Sequence, residues 1–302
     1  MSGKADSLKT IFFALAANFA IFVAKAVAAF VTGSGAMTAE AVHSLADCGN
    51  QGLLLLGLKD ARAPASPEYP LGHGKAIYFW SFLVALLLFS VGGAFSLYEG
   101  IHKLEAPEPL KWPWLAVGVL AFGIVAESFS MWGCLREVNK VRGARNLWRW
   151  FHESRQSELI VIFGEDLAAL TGLVFALVAV LLTVMTGNPL FDALGTLAIG
   201  VLLIVVAVFI AVEVKALLIG QSADPKVRSE ILGFLDSRPE IERVFNLITL
   251  QLGVDVMVAV KAEMNRDLAT RGIVDAINAV EKDMKATFPE IRWSFFEPDV
   301  AD

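Results

Sequence analysis

Six apolar blocks, each about as long as a membrane-spanning helix, constrain this chain more than any other feature of its sequence. They cover about residues 9–32, 37–60, 76–101, 113–135, 157–186 and 189–218. A helix needs about 20 apolar residues to cross about 30 Å of hydrocarbon. With 56% hydrophobic and 19% charged residues, the chain is also outside the range of ordinary soluble domains. The sequence therefore predicts an α-helical membrane protein with six transmembrane helices.

Lysine and arginine are concentrated in two of the connections between these blocks. The connection between the second and third blocks contains Lys59, Arg62 and Lys75. The connection between the fourth and fifth contains Arg136, Lys140, Arg142, Arg145, Arg149 and Arg155. Loops rich in Lys and Arg stay on the cytoplasmic side of a membrane. Both termini are therefore predicted to be cytoplasmic, and a bacterial inner membrane is the default location.

The composition changes after Gly220 to the mixed pattern of a small soluble domain. The predicted elements are a helix at 225–237, strands at 243–252 and 255–264, a helix at 269–287 and a strand at 291–296. This αββαβ order predicts a small α+β domain, ferredoxin-like in outline, which would gain from dimerisation. The predicted domains are 1–220 in the membrane and 221–302 in the cytoplasm. Residues 222–302 hold 15 Asp and Glu against 10 Lys and Arg, so nucleic acid is not an expected partner.

Ionisable side chains inside the apolar blocks are the candidates for function, because charges are costly within a bilayer. They are Lys25, Glu40, His43, Asp47, Glu99, Glu127, Glu165, Asp166 and Asp192. Lys25 and Glu127 have opposite charges and are predicted to form a structural pair between the first and fourth spans. Glu40 and Glu99 lie near the outer ends of their spans and are expected to face water. Cys48 and Cys134 form neither a disulfide framework nor a CxxC pair and are interpreted as packing residues.

His43 and Asp47 form the sharpest pattern in the membrane region. A spacing of four places both on one helical face, about 6 Å apart, so that one ion can reach both. An imidazole and a carboxylate suit zinc, although a His–Asp hydrogen bond that locks two helices is an equal alternative. Glu165 and Asp166 point about 100° apart on a helix. At most one of them is therefore expected to face the same ion.

These patterns together resemble the cation diffusion facilitator family. The matching runs are Ala41-Val42-His43-Ser44-Leu45-Ala46-Asp47, Tyr69-Pro70-Leu71-Gly72-His73-Gly74-Lys75, Tyr98-Glu99-Gly100 and Gly220-Gln221-Ser222-Ala223-Asp224. The resemblance implies a homodimer that exchanges metal ions for protons, with an HxxxD or DxxxD motif in the second span and an HxxxD motif in the fifth. Ile162 stands where the second of these motifs has its other ligand. The Glu165-Asp166-Leu167-Ala168-Ala169-Leu170 run is similar instead to the branch that contains the mitochondrial zinc transporter.

The expected function is export of a divalent transition metal, Zn²⁺ above all, in exchange for protons. The predicted metal ligands are His43, Asp47 and Asp166, with Glu165 as a proton carrier or partial fourth ligand. No permanently bound cofactor and no enzymatic activity are expected, and a tail without His or Cys is not expected to bind zinc. The alternatives are an exporter of manganese, iron or cobalt, an intramembrane metalloenzyme with Glu165 as general base, and a membrane scaffold. No HExxH motif supports the enzyme.

Overall fold

Six long helices dominate the structure, a computed structural model that describes residues 3–266 and 269–301, with side chains from Asn18 onward except at 270. The helices up to residue 219 are α1 (Gly3–Thr32), α2 (Gly35–Asp60), α3 (Ala76–Glu105), α4 (Pro113–Val141), the short α5 (Leu147–Glu153), α6 (Ser157–Thr186) and α7 (Leu190–Ile219). Within α3, residues Leu88–Ala94 form a π-helical turn. The predicted spans agree with the six long helices, whereas α5 was not predicted.

Four of the long helices, α3, α4, α6 and α7, are long and apolar enough to cross a membrane. The apolar part of α1 within the searched residues is Asn18–Thr32. α2 is 26 residues long but is not among the four. It carries Glu40, His43, Asp47 and Asn50 between its ends. α2 therefore places several polar side chains among the other long helices.

The start of α2 is held by a carboxylate from α7. Asp192 accepts hydrogen bonds from the backbone N–H of Gly35 at 2.6 Å and of Ala36 at 3.4 Å, and from the Ser34 hydroxyl. The first N–H groups of a helix have no partner within the helix, and a negative charge there also suits the helix dipole. This contact accounts for one of the ionisable residues in the apolar blocks. Asp192 thus fixes where α2 begins.

Two glycines of α6 allow close contacts with neighbouring helices. A Cβ atom at Gly172 would lie 2.5 Å from the Glu40 Oε1 atom of α2, and one at Gly164 would lie 2.7 Å from Ile210 Cδ1 of α7. Small residues at such crossings let membrane helices approach closely. The rotation of α6 about its own axis, and so the direction of Glu165, depends on these contacts.

The C-terminal elements form a three-stranded sheet with two helices on one face. They are α8 (Pro225–Asp236), β1 (Ile241–Leu252), β2 (Asp255–Met264), α9 (Thr270–Thr287) and β3 (Ile291–Pro298). β2 is the central strand, antiparallel to β1 and parallel to β3. Alternate β2 residues Val256, Val258 and Val260 are at most 2% exposed and pack in the core with α8 and α9. The predicted αββαβ order and fold class are confirmed.

The chain forms two compact units. The first comprises residues 1–56, 80–144 and 158–213, and the second comprises 57–79, 145–157 and 214–302. Within the second unit, the Tyr78 hydroxyl accepts a hydrogen bond from the Gly253 N–H at 2.8 Å, and Arg145 contacts Asp224 at 2.7 Å. Two connecting segments therefore belong with the C-terminal elements. The division into membrane and cytoplasmic domains at residue 220 stays a prediction.

Candidate metal centre

His43 and Asp47 lie on one face of α2, one turn apart. The His43 Nδ1 and Asp47 Oδ1 atoms are 3.6 Å apart, which is too long for a hydrogen bond. Both ring nitrogens of His43 and this Asp47 oxygen are buried without a hydrogen-bond partner. Two ligands at about 2.0 Å from one tetrahedral zinc ion would be roughly 3.3 Å apart. The geometry therefore suits a shared ion better than the alternative of a hydrogen bond that locks two helices.

Asn50, one turn beyond Asp47, continues this face of α2. It is fully buried, and its side-chain amide nitrogen donates a hydrogen bond to Oε1 of Glu165 on α6. Its amide oxygen is buried without a partner. Asn50 is not ionisable and was therefore not among the predicted site residues. Its spacing of seven from His43, two helical turns, was the available signal.

The two adjacent carboxylates of α6 face different helices. Glu165 is 8% exposed, contacts Asn50 of α2 and lies close enough to Asp47 for their charges to interact. Asp166 accepts a hydrogen bond from the Ser130 hydroxyl of α4 at 3.0 Å, and the Cys134 thiol is also within its hydrogen-bonding reach. Glu165, rather than Asp166, is thus the carboxylate in contact with α2. The reverse arrangement was expected from the sequence.

Ile162 does not supply a ligand. Its side chain is apolar and 39% exposed, so this position of α6 contributes no polar atom to the buried cluster. Asp166 keeps one buried oxygen, Oδ2, without a partner. Its charge also interacts with those of Glu127 and Asp47. The carboxyl groups of α2, α4 and α6 thus form one cluster inside the first unit.

The buried lysine of α1 pairs with α2 and not with α4. Lys25 Nζ lies 3.1 Å from Glu40 Oε2 and 2.8 Å from the Ser44 hydroxyl, and both Lys25 and Glu40 are at most 1% exposed. The prediction that Lys25 pairs with Glu127 is therefore wrong, as is the expectation that Glu40 faces water. The reason is the short turn between α1 and α2, which packs Lys25 against the buried face that also carries His43.

The candidate ligand atoms do not all lie around one point. Among the residues that the structure describes, no three His, Cys, Asp or Glu side chains are close enough together to hold one metal ion. The unpartnered atoms of His43, Asp47, Asn50 and Asp166 are nevertheless all buried. Buried polar atoms without partners are uncommon in folded proteins and costly. An ion that draws α2 and α6 together would satisfy several of them at once.

Residues 11–219 match the family described as the cation efflux transmembrane domain. The chain is 32% identical over 288 residues to the mitochondrial proton-coupled zinc antiporter SLC30A9 of Xenopus laevis. The aligned segment covers 94% of this chain and 50% of that protein. It is 28% identical to metal tolerance protein C4 of Arabidopsis thaliana, over 77% of this chain and 51% of the relative.

A bacterial protein matches over a greater share of its own length. The magnetosome protein MamB of Magnetospirillum gryphiswaldense is 24% identical, over 94% of this chain and 91% of that protein. By contrast, the chain spans about half the length of the zinc antiporter and of the metal tolerance protein.

Proposed function

The chain belongs to the cation efflux family, and from this premise we propose that it exports a divalent transition metal, Zn²⁺ first, in exchange for protons. The proposed metal ligands are His43, Asp47 and Glu165, and Asp166 lies beside Glu165 on α6. One observation on α2 carries the proposal. The buried His43 ring nitrogens and the Asp47 Oδ1 atom have no hydrogen-bond partner, and the Glu165 carboxyl group of α6 lies near them. The names of two relatives, a proton-coupled zinc antiporter and a metal tolerance protein, support it.

Exchange for protons follows from the chemistry of these ligands. Imidazole binds a metal only when neutral, and carboxylates bind it only when ionised, so proton uptake and metal binding compete. The carboxylates of Asp47, Glu165 and Asp166 repel one another when all are ionised, because they share one buried region. Either a divalent cation or protons relieve this repulsion. A site that alternates between the two couples their movements in opposite directions.

The metal preference of the site follows from its nitrogen and oxygen ligands. One imidazole with carboxylates suits zinc, and manganese, iron and cobalt accept such ligands as well. An intramembrane metalloenzyme built on the same residues is not favoured, because the relatives are named as transporters. We further propose that the protein works as a homodimer in a bacterial inner membrane with both termini cytoplasmic. Residues 221–302 would then contribute to dimerisation and not to metal binding.

The proposal is tested with purified protein in sealed liposomes that contain a zinc indicator and a pH indicator. We expect Zn²⁺ entry down its gradient to be accompanied by proton exit, and an imposed proton gradient to drive Zn²⁺ uphill. Competition with Mn²⁺, Fe²⁺ and Co²⁺ in the same assay ranks the metals. Rapid Zn²⁺ entry at constant internal pH would contradict the exchange, and an absence of Zn²⁺ entry would contradict the proposed substrate.

The contacts of α6 lead to separate predictions for its two carboxylates. Glu165→Gln is expected to weaken Zn²⁺ binding by more than about 100-fold, since even residues that only orient a ligand are worth about 10–100-fold. Asp166→Asn is expected to retain binding within about 10-fold and to slow transport, because Asp166 contacts α4. Isothermal titration measures both affinities. Loss of binding in Asp166→Asn alone would return the ligand role to Asp166.

A further inference from the structure

Asn50 is the residue of the buried cluster for which the proposed function has no role. We infer that its amide oxygen is the fourth ligand of the transported ion, while its amide nitrogen positions Glu165 as a neighbouring ligand. This inference rests on the proposed function. It supplies the fourth ligand that the apolar Ile162 cannot provide. Asn50 would then contribute to the metal preference of the site.

The placement of Asn50 supports this role. Residues 43, 47 and 50 fall within roughly 60° of one another around a helix that turns about 100° per residue. Asn50 is 0% exposed, so neither lipid nor water accounts for its side chain. One end of the planar amide is occupied, because its nitrogen donates to Glu165 Oε1. The other end is the oxygen, which is buried and has no partner.

The direction of the hydrogen bond explains why the oxygen is the free end. The Asn50 N–H₂ group can only donate hydrogen bonds, and it is turned toward Glu165 Oε1, which accepts. The acceptor oxygen, which has lone pairs for a cation, is left on the other side of the amide. Asn50 therefore presents a ligand atom and orients a second ligand with the same side chain.

The charge balance of the site also favours an amide at this position. The carboxylates of Asp47 and Glu165 carry two negative charges, which one divalent ion neutralises, and neutral His43 adds none. A third carboxylate as the fourth ligand would add a further negative charge next to Asp166 and Glu127, which is costly in a buried region. An amide oxygen completes four-coordination without that charge. Since carbonyl oxygens also suit manganese, Asn50 would make the site less selective for zinc than a nitrogen or sulfur ligand would.

The test uses the full chain in detergent micelles, with Co²⁺ as a spectroscopic probe and Zn²⁺ as a competitor. Asn50→Leu keeps the approximate size and removes both polar ends. We expect it to weaken Zn²⁺ binding about 10–100-fold and to change the visible absorption of each bound Co²⁺ ion, because a ligand is lost. Asn139→Leu is the matched control, since this exposed amide of α4 lies outside the buried cluster. It should leave both measurements unchanged.

A second variant keeps the inference testable if Asn50→Leu does not fold. Asn50→Asp retains an oxygen at the same place but adds a negative charge and loses the N–H₂ group that holds Glu165. We expect it to bind Co²⁺ with an altered spectrum and to shift the Zn²⁺/Mn²⁺ affinity ratio toward Mn²⁺. An unchanged Co²⁺ spectrum and an unchanged affinity ratio in a folded Asn50 variant would overturn the ligand role. Failure of the unmodified protein to bind Co²⁺ or Zn²⁺ would instead contradict the proposed function itself.

Discussion

Replacement of His43 or Asp47 with alanine is expected to reduce metal transport to the rate of protein-free liposomes. Each change removes one of the two ligand groups that α2 places 3.6 Å apart. The protein should still fold, because neither the His43 ring nitrogens nor the Asp47 Oδ1 atom makes a hydrogen bond that would be lost. Zinc flux into liposomes measures the first expectation, and thermal unfolding in detergent measures the second.

The matched controls for this experiment are an exposed histidine and an exposed acid. His102 and Glu105 lie at the end of α3 and are exposed, so His102→Ala and Glu105→Ala should transport zinc at the unmodified rate. Isothermal titration then separates binding from movement. Normal flux in either His43→Ala or Asp47→Ala would refute the assignment of α2 as the ligand-bearing helix.

Loss of one partner of the buried Lys25–Glu40 pair is expected to destabilise the protein strongly. Both side chains are at most 1% exposed and lie 3.1 Å apart. Removal of one partner of a buried ion pair typically costs about 3–5 kcal/mol, because the other charge remains without compensation. Lys25→Met and Glu40→Leu should each lower the unfolding temperature clearly. Thermal unfolding of the purified protein in detergent measures the effect.

Two further variants show whether the cost comes from an unpaired charge. The double variant Lys25→Met/Glu40→Leu should recover much of the lost stability, since paired apolar groups leave no buried charge. Glu230→Gln breaks the exposed Lys226–Glu230 pair of α8 and should cost less than about 1 kcal/mol. If the double variant is less stable than both single variants, the two residues act independently and the buried pair is not the source of the stability.

The elements that follow from local patterns were predictable from the sequence. The lengths of the apolar blocks predicted the six long helices. The spacing of apolar residues, together with turn residues, predicted the αββαβ order. The helical repeat placed His43 and Asp47 on one face of α2, and the chemistry of the two groups pointed to a metal ion. Each of these inferences depends only on residues that are close together along the chain. The short helix α5 was not predicted, because seven residues are too few to show a helical repeat of apolar residues.

The partners between helices were decided only by the tertiary structure. Charge alone cannot tell whether Lys25 pairs with Glu40 or with Glu127, because that depends on which helix packs against α1. Helical geometry says that Glu165 and Asp166 diverge, but the rotation of α6, set by contacts at Gly164 and Gly172, selects the one that meets α2. The sequence by itself thus determined the long helices and the candidate ligands of the proposed site. The packing of helices against one another determined which side chains meet, since that depends on rotations and distances that no local pattern encodes.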